Sequence, residues 1–108
     1  MRIGSIVVRC FEFEKMLAFW QQALHYIPRE PVKAGWVVLH DPEGKGPNLS
    51  LDQVMEERSG KRGRLHLDLY TNNRESEVER LIKIGAARCP WRTHCHIPTR
   101  PRQLYFVR

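Results

Sequence analysis

A chain of 108 residues is long enough to form one domain with its own hydrophobic core, so folding requires neither disulfides nor a bound metal. Its apolar runs are far shorter than the roughly 20 residues that span a bilayer, and it opens with nothing typical of a secretion signal, which argues against a membrane protein and favours a soluble one. Cys10, Cys89 and Cys95 lack the number and spacing of a secreted disulfide framework, so we expect a cytoplasmic protein.

The formal net charge of +6 is unevenly distributed along the chain. Residues 1–79 contain eleven Lys and Arg against twelve Asp and Glu, whereas residues 80–108 contain seven Lys and Arg and no acid. A basic tail can bind nucleic-acid phosphates, but charges spread over a helix end and an irregular segment are more typical of a solvated surface. We therefore do not expect nucleic acid as a partner.

The first half of the chain predicts the element order β-α-β-β-β. A β-rich run around Ile6–Val8 leads to a helix near residues 12–25, whose apolar side chains recur at spacings of three and four. Three strand candidates follow, at Tyr26–Glu30, Trp36–His40 and Asn48–Val54. The last two flank Asp41–Gly44, the sequence DPEG, which has the residues of a type I turn, so we expect them to form a hairpin.

A charged, glycine-containing linker over residues 55–62 separates this half from a second one, 63–108, which begins again with a strand and a helix. The helix is predicted near residues 73–85, with Asn72 at the spacing of an N-terminal cap and Gly85 as the left-handed residue that ends it. Two further strands are predicted, at Ala87–Trp91 and from Gln103 onward.

The two halves are related by an internal repeat with an offset of 61 residues. At this offset SIVVRCFEFEKMLAFWQQALHY aligns with HLDLYTNNRESEVERLIKIGAA, which places Trp20 on Leu81 and Ser5 on His66. Strand is matched with strand and helix with helix. The sequence therefore predicts two related modules, of which the second is abbreviated.

The tandem pattern resembles the glyoxalase and bleomycin-resistance family of the vicinal oxygen chelate superfamily, and within it the small glyoxalase-like domain proteins. The resemblance covers residues 2–91 and is carried by the AFW helix, the DPEG hairpin and the LHLDL strand together. It implies an α+β fold in which paired βαβββ modules form a curved mixed-sheet cup with the helices outside. We accordingly expect one glyoxalase-like domain over residues 1–108, with residues 1–54 as the first module, and a homodimer that covers the exposed strand edges.

The resemblance also implies a site inside the cup. Enzymes of the family hold a divalent metal there with one ligand from the first and last strands of each half. His66 occupies one such position, and the corresponding positions fall on Ser5, Ser50 and Tyr105 or a neighbour. One histidine with two serines and a tyrosine is a poor set for zinc, nickel, iron or manganese, so we expect these residues to bind a small molecule without a metal, with Trp36 as a further lining residue.

Two roles remain open for His66 and Asp68, which share one face of a predicted strand. They could contact the ligand and act in acid–base chemistry, with Asp68 orienting His66, and they are our candidate catalytic residues. Alternatively, the ring of His66 could be packed on the floor of the cup and Asp68 could serve as a hydrogen-bond acceptor that supports the fold.

A second cluster of possible metal ligands lies in CPWRTHCH. It contains Cys89, His94, Cys95 and His96, but the spacing matches neither arm of a zinc finger, and consecutive side chains on a strand do not point to one side. In the family this region would hold a turn and a closing strand, whereas residues 92–102 are rich in arginine and proline here. We regard it as a divergent end.

Together these observations predict a small-molecule-binding glyoxalase-like protein without the metal site of the family, and leave open whether it is an enzyme. The alternative is a metal-dependent lyase, isomerase or dioxygenase of the same superfamily, with a divalent metal ion as cofactor.

Overall fold

The computed structural model describes residues 1–56, 66–86 and 103–107, with His66 and residues 103–107 described by their backbone. The elements are β1 (Ile6–Cys10), α1 (Phe13–Leu24), β2 (Ile27–Pro28), β3 (Trp36–His40), β4 (Leu49–Gln53), β5 (His66–Tyr70), α2 (Arg74–Lys83) and β6 (Gln103–Val107). The chain divides into two compact units, residues 1–59 and 60–108. The division falls inside the predicted linker, and the treatment of the two halves as one domain stays a prediction.

The first unit contains a mixed four-stranded sheet in the order β1-β4-β3-β2. β1 runs parallel to β4, whereas the β2–β3 and β3–β4 pairs are antiparallel. The sheet is not closed, and the unit has the element order β-α-β-β-β that the sequence predicts. Neither α1 nor α2 has the length and apolar character that would let it cross a membrane.

Burial alternates along β3 because successive side chains point to opposite sides of a sheet, whereas Leu49, Ser50 and Leu51 of β4 are buried on both sides. One side carries Leu39 of β3 together with Leu49 and Leu51 of β4, all almost fully buried. α1 packs against β4, and it buries an apolar stripe at the helical spacing, formed by Phe13, Met16, Trp20 and Ala23. The core of the first unit therefore lies between α1 and this side of the sheet.

The hairpin between β3 and β4 is confirmed. The Gly44 N–H donates to the Asp41 carbonyl at 2.9 Å, which closes the turn, and the Asp41 carboxylate accepts from the N–H groups of Glu43, Lys45 and Gly46 at 2.9, 3.1 and 2.9 Å. These hydrogen bonds, that from Glu43 above all, hold the pKa of Asp41 below its usual range. Desolvation acts in the opposite direction and offsets part of the effect. A Cβ at position 46 would overlap the hydroxyl of Tyr26, so a larger residue there would have to displace the Tyr26 side chain.

The second unit pairs β5 with β6 in an antiparallel arrangement. Its described elements are β-α-β, so the fold is α+β, while the paired βαβββ arrangement and the cup stay predictions. The predicted strand at Ala87–Trp91 lies outside the described residues.

The predicted ends of two elements are corrected by the structure. β2 is only Ile27–Pro28, shorter at both ends than the predicted Tyr26–Glu30. It begins after His25, whose left-handed conformation, with φ of 57°, turns the chain out of α1, and residues 29 and 30 form a bend after it. The N-cap of α2 is Asn73 and not Asn72, since the Oδ1 of Asn73 accepts from the Ser76 N–H at 3.3 Å.

The end of α2 is as expected. Gly85 has φ of 122°, its N–H donates to the Ile82 carbonyl at 3.1 Å, and the Ala86 N–H donates to the Leu81 carbonyl at 2.9 Å. This pair of bonds is the Schellman motif, in which a glycine in a positive-φ conformation satisfies carbonyls at the helix end.

The 61-residue offset is visible in the local structure. α1 begins at Phe13 and α2 at Arg74, and the half-buried Ile6 and Val8 of β1 correspond to the half-buried Leu67 and Leu69 of β5. The offset therefore preserves the alternation of buried and exposed positions as well as the element order.

The two adjacent asparagines provide a test of the capping geometry. Replacing Asn73 by Ala removes the acceptor for the Ser76 N–H and should lower the free energy of unfolding by about 1 kcal/mol, measured by urea denaturation. Asn72→Ala is the matched control and should change stability by less than about 0.5 kcal/mol. A larger loss in Asn72→Ala than in Asn73→Ala would contradict the assignment.

Candidate ligand-binding face

The first-unit sheet has a second side, which points away from α1 and which we call the distal face. The strand register places three pairs of side chains on it, Val7 and Arg9 of β1, Ser50 and Asp52 of β4, and Trp36 and Val38 of β3. They form two rows across the sheet. Val7, Ser50 and Val38 make one row, and Arg9, Asp52 and Trp36 make the other.

A serine pair lies at one end of the distal face. The Oγ atoms of Ser5 and Ser50 are 2.6 Å apart, and the Ser5 Oγ is also 3.3 Å from the carbonyl oxygen of Asn48. Ser50 is almost fully buried in the middle of the central strand, whereas Ser5 is half-buried just before β1. The structure thus brings together two of the predicted site residues that are 45 positions apart in the chain.

The other predicted residue in this unit, Trp36, lies on the distal face and is 39% exposed. Its neighbour across the strands is Asp52, whose carboxylate makes a long ion pair of 3.8 Å with the Arg9 guanidinium. Because the side chains of Arg9 and Asp52 are 74% and 42% exposed, water screens this pair and it contributes little to stability. A partly exposed indole beside a loosely paired carboxylate can contact both an aromatic ring and a polar group of a ligand.

Apolar side chains make up much of the remaining distal face. Val7 is 47% exposed, and Ile27 of β2, opposite His40 in the register, is 46% exposed. Exposed apolar surface interrupted by a few polar groups is a common character of small-molecule sites.

Arg9, Asp52 and His40 were not singled out by the sequence reasoning. The signal that could have found Arg9 and Asp52 is the period of two along a strand. Arg9 lies two residues after Val7, and Asp52 lies two residues after Ser50, so each shares a side of the sheet with that residue. Cys10, in contrast, lies on the side of α1, and burial, followed by the charge of Asp52, raises the pKa of its thiol. It is therefore protonated at neutral pH and is not an activated nucleophile.

The remaining predicted site residues belong to the second unit. Asp68 of β5 is opposite Tyr105 of β6, and its side chain is exposed, while His66 is opposite Val107. The register thus brings two of these residues to facing positions. That His66 faces Ser5 stays a prediction.

The described residues contain no group of three or more His, Cys, Asp or Glu side chains arranged to hold a metal ion. The predicted cluster of Cys89, His94, Cys95 and His96 lies outside the described residues.

These features define an α+β protein with a mixed, unclosed sheet and a partly apolar face that points away from its helix. A family model described as the glyoxalase-like domain matches residues 5–96. The chain therefore belongs to the glyoxalase-like domain family, which confirms the resemblance to the vicinal oxygen chelate superfamily. No curated protein and no solved structure shows significant similarity to the chain.

The serine pair generates an asymmetric stability prediction. Ser5→Ala removes the partner that the described residues provide for the buried Ser50 hydroxyl, and it should lower the free energy of unfolding by about 1–3 kcal/mol. Ser50→Ala should lower the free energy of unfolding by less, because the Ser5 hydroxyl is half-buried and keeps the Asn48 carbonyl as an acceptor.

The double variant Ser5→Ala/Ser50→Ala should be no less stable than Ser5→Ala alone, because both hydroxyls are then gone. Denaturant unfolding of the four proteins gives the coupling energy of the pair. Strictly additive losses would show that the two hydroxyls do not depend on one another.

Proposed function

We propose that this glyoxalase-like protein binds a small organic molecule on the distal face and does so without a divalent metal ion. The observation that carries the proposal is the serine pair, which places a buried hydroxyl in the middle of an otherwise apolar row of side chains. A valine would fill such a position at no hydrogen-bonding cost, so a polar group there is best explained by recognition.

The chemistry of the donor atoms supports the absence of a metal. Two of the four positions that correspond to metal ligands in the family are Ser5 and Ser50, whose neutral hydroxyls bond to each other. Zinc and other transition metals bind histidine, cysteine and carboxylate groups much more strongly than neutral hydroxyls. The metal-dependent lyase, isomerase or dioxygenase would need a stronger set of ligands at this place.

Apolar contact supplies the expected affinity. Val7, Ile27 and Trp36 are each between 39% and 47% exposed, so a ligand that covers them removes apolar surface from water. Trp36 offers the face or edge of an indole to an aromatic ring, a contact worth about 0.5–1.5 kcal/mol beyond the buried area. The ligand that fits this surface is therefore a compact molecule with an apolar or aromatic body.

His66, Asp68 and Tyr105 are included in the proposal as residues that contact the ligand. His66 would act as a hydrogen-bonding group or general base, and Asp68 would orient it.

Histidine replacement tests the role of His66. His66→Ala should weaken binding of a fragment hit by about 1–3 kcal/mol and leave stability nearly unchanged, measured by NMR titration and thermal unfolding. His25→Asn is the matched control, because His25 is exposed and asparagine tolerates its left-handed backbone. A sharp fall in melting temperature with unchanged affinity in His66→Ala would assign His66 to packing.

We also propose that the protein is a cytoplasmic homodimer. β1 and β2 are the edges of the four-stranded sheet in the described part of the chain, and pairing between subunits is a common way to cover edges of this kind. Light scattering at tens of micromolar concentration should give twice the 12.8 kDa mass of the chain. The monomer mass at that concentration would contradict the proposal.

A further inference from the structure

The 2.6 Å contact between the Ser5 and Ser50 hydroxyls is compatible with either serine as the donor, and the need to satisfy the buried Ser50 hydroxyl favours one direction. A hydroxyl group donates one hydrogen bond and accepts up to two. Among the described residues the Ser5 Oγ is the partner of the Ser50 Oγ, so the buried Ser50 hydroxyl is satisfied when it donates to Ser5. Ser5 then donates to the Asn48 carbonyl at 3.3 Å, because its other acceptor, the Ile6 carbonyl, is farther away at 3.5 Å.

The direction of this chain determines what Ser5 can offer to a ligand. Its single hydrogen points to a backbone carbonyl and one lone pair accepts from Ser50, so one lone pair remains. Ser5 is the half-buried member of the pair, whereas Ser50 is almost fully buried, so we expect a ligand to use the remaining lone pair of Ser5. Each bond in such a chain also polarises the next, which strengthens the oxygen as an acceptor.

We infer that the distal face selects ligands that present a hydrogen-bond donor, an alcohol or an amine, over ligands that present a carboxylate or a phosphate. The inference rests on the proposed function and goes further by naming the chemical class of the ligand. An anionic or ether oxygen could bond Ser5 only if the Ser5 hydroxyl turned away from the Asn48 carbonyl, and that bond would be lost.

The charges on the distal face favour the same class. Asp52 lies two residues after Ser50 in β4, so its carboxylate is on the same side of the sheet, about 7 Å along the strand. It is a second acceptor and repels anions. The cation in this row, Arg9, lies 3.8 Å from the Asp52 carboxylate, so its charge is partly offset by that neighbour.

The test uses three aromatic probes of nearly equal size, benzyl alcohol, benzyl methyl ether and benzoate. Their affinities are measured for the whole protein by NMR titration, with the amide signals of Val7, Ser50 and Val38 reporting on the distal face. One neutral hydrogen bond separates the alcohol from the ether, so the alcohol should bind about tenfold tighter than the ether, and benzoate should bind no better than the ether.

The variant Ser5→Ala/Ser50→Ala removes both hydroxyls together and leaves no unsatisfied partner, so it is suited to binding measurements. In it the alcohol and the ether should bind equally, whereas Ser5→Thr keeps the hydroxyl and should retain the preference. Equal affinities for alcohol and ether in the wild-type protein, or tighter binding of benzoate, would overturn the inference and leave the proposed function standing. If no probe shifts the signals of the distal face, the proposed function fails and the inference fails with it.

Discussion

β4 is the strand on which the rest of the first unit depends. It is paired with a strand on both sides, and one of its faces contributes to the core while the other belongs to the distal face. Leu49 and Leu51 are almost fully buried on the side of α1, and Ser50 between them is equally buried on the distal face. A shift of register by one residue would exchange these faces, placing a hydroxyl in the core and two leucines on the distal face. The two neighbouring strands and the tight Asp41–Gly44 turn hold the register in place.

The buried serine connects this architecture with function. A hydroxyl in the middle of a sheet is tolerated only with a hydrogen-bond partner, and Ser5, which lies before β1, supplies one across the β1–β4 pair. The arrangement stabilises the fold no better than two apolar side chains would. It does place a polar acceptor within an apolar surface that also carries Trp36, and this is the basis on which we propose ligand recognition by the distal face.

The sequence contains enough information for the elements that rest on local rules. Both helices, the hairpin at Asp41–Gly44 and the end of α2 at Gly85 follow from periodicity, turn residues and the need for a positive φ. The sequence placed the N-cap at Asn72, one residue early, because two adjacent asparagines are chemically equivalent and only the backbone geometry selects Asn73. β2 was predicted too long at both ends, and the left-handed histidine before its start has no clear sequence signal.

The site could be predicted only in part. The repeat and the family resemblance singled out Ser5 and Ser50, and the structure brings their hydroxyls together. Their direct bond, and the ion pair of Arg9 with Asp52, depend on which residues of β1 and β4 are neighbours, and that register cannot be derived from either strand alone. The expectation that His66 faces Ser5 rests on the 61-residue offset and stays a prediction.

Metal analysis of protein purified without chelators tests the central claim most directly, namely that the serine pair replaces the metal ligands of the family. The account predicts no stoichiometric zinc, nickel, iron or manganese, and no saturable uptake when each metal is added. The most decisive version of this experiment compares the metal content of the wild-type protein with that of the His66→Ala variant. One equivalent of a transition metal bound to the wild-type protein and lost from the variant would contradict the account.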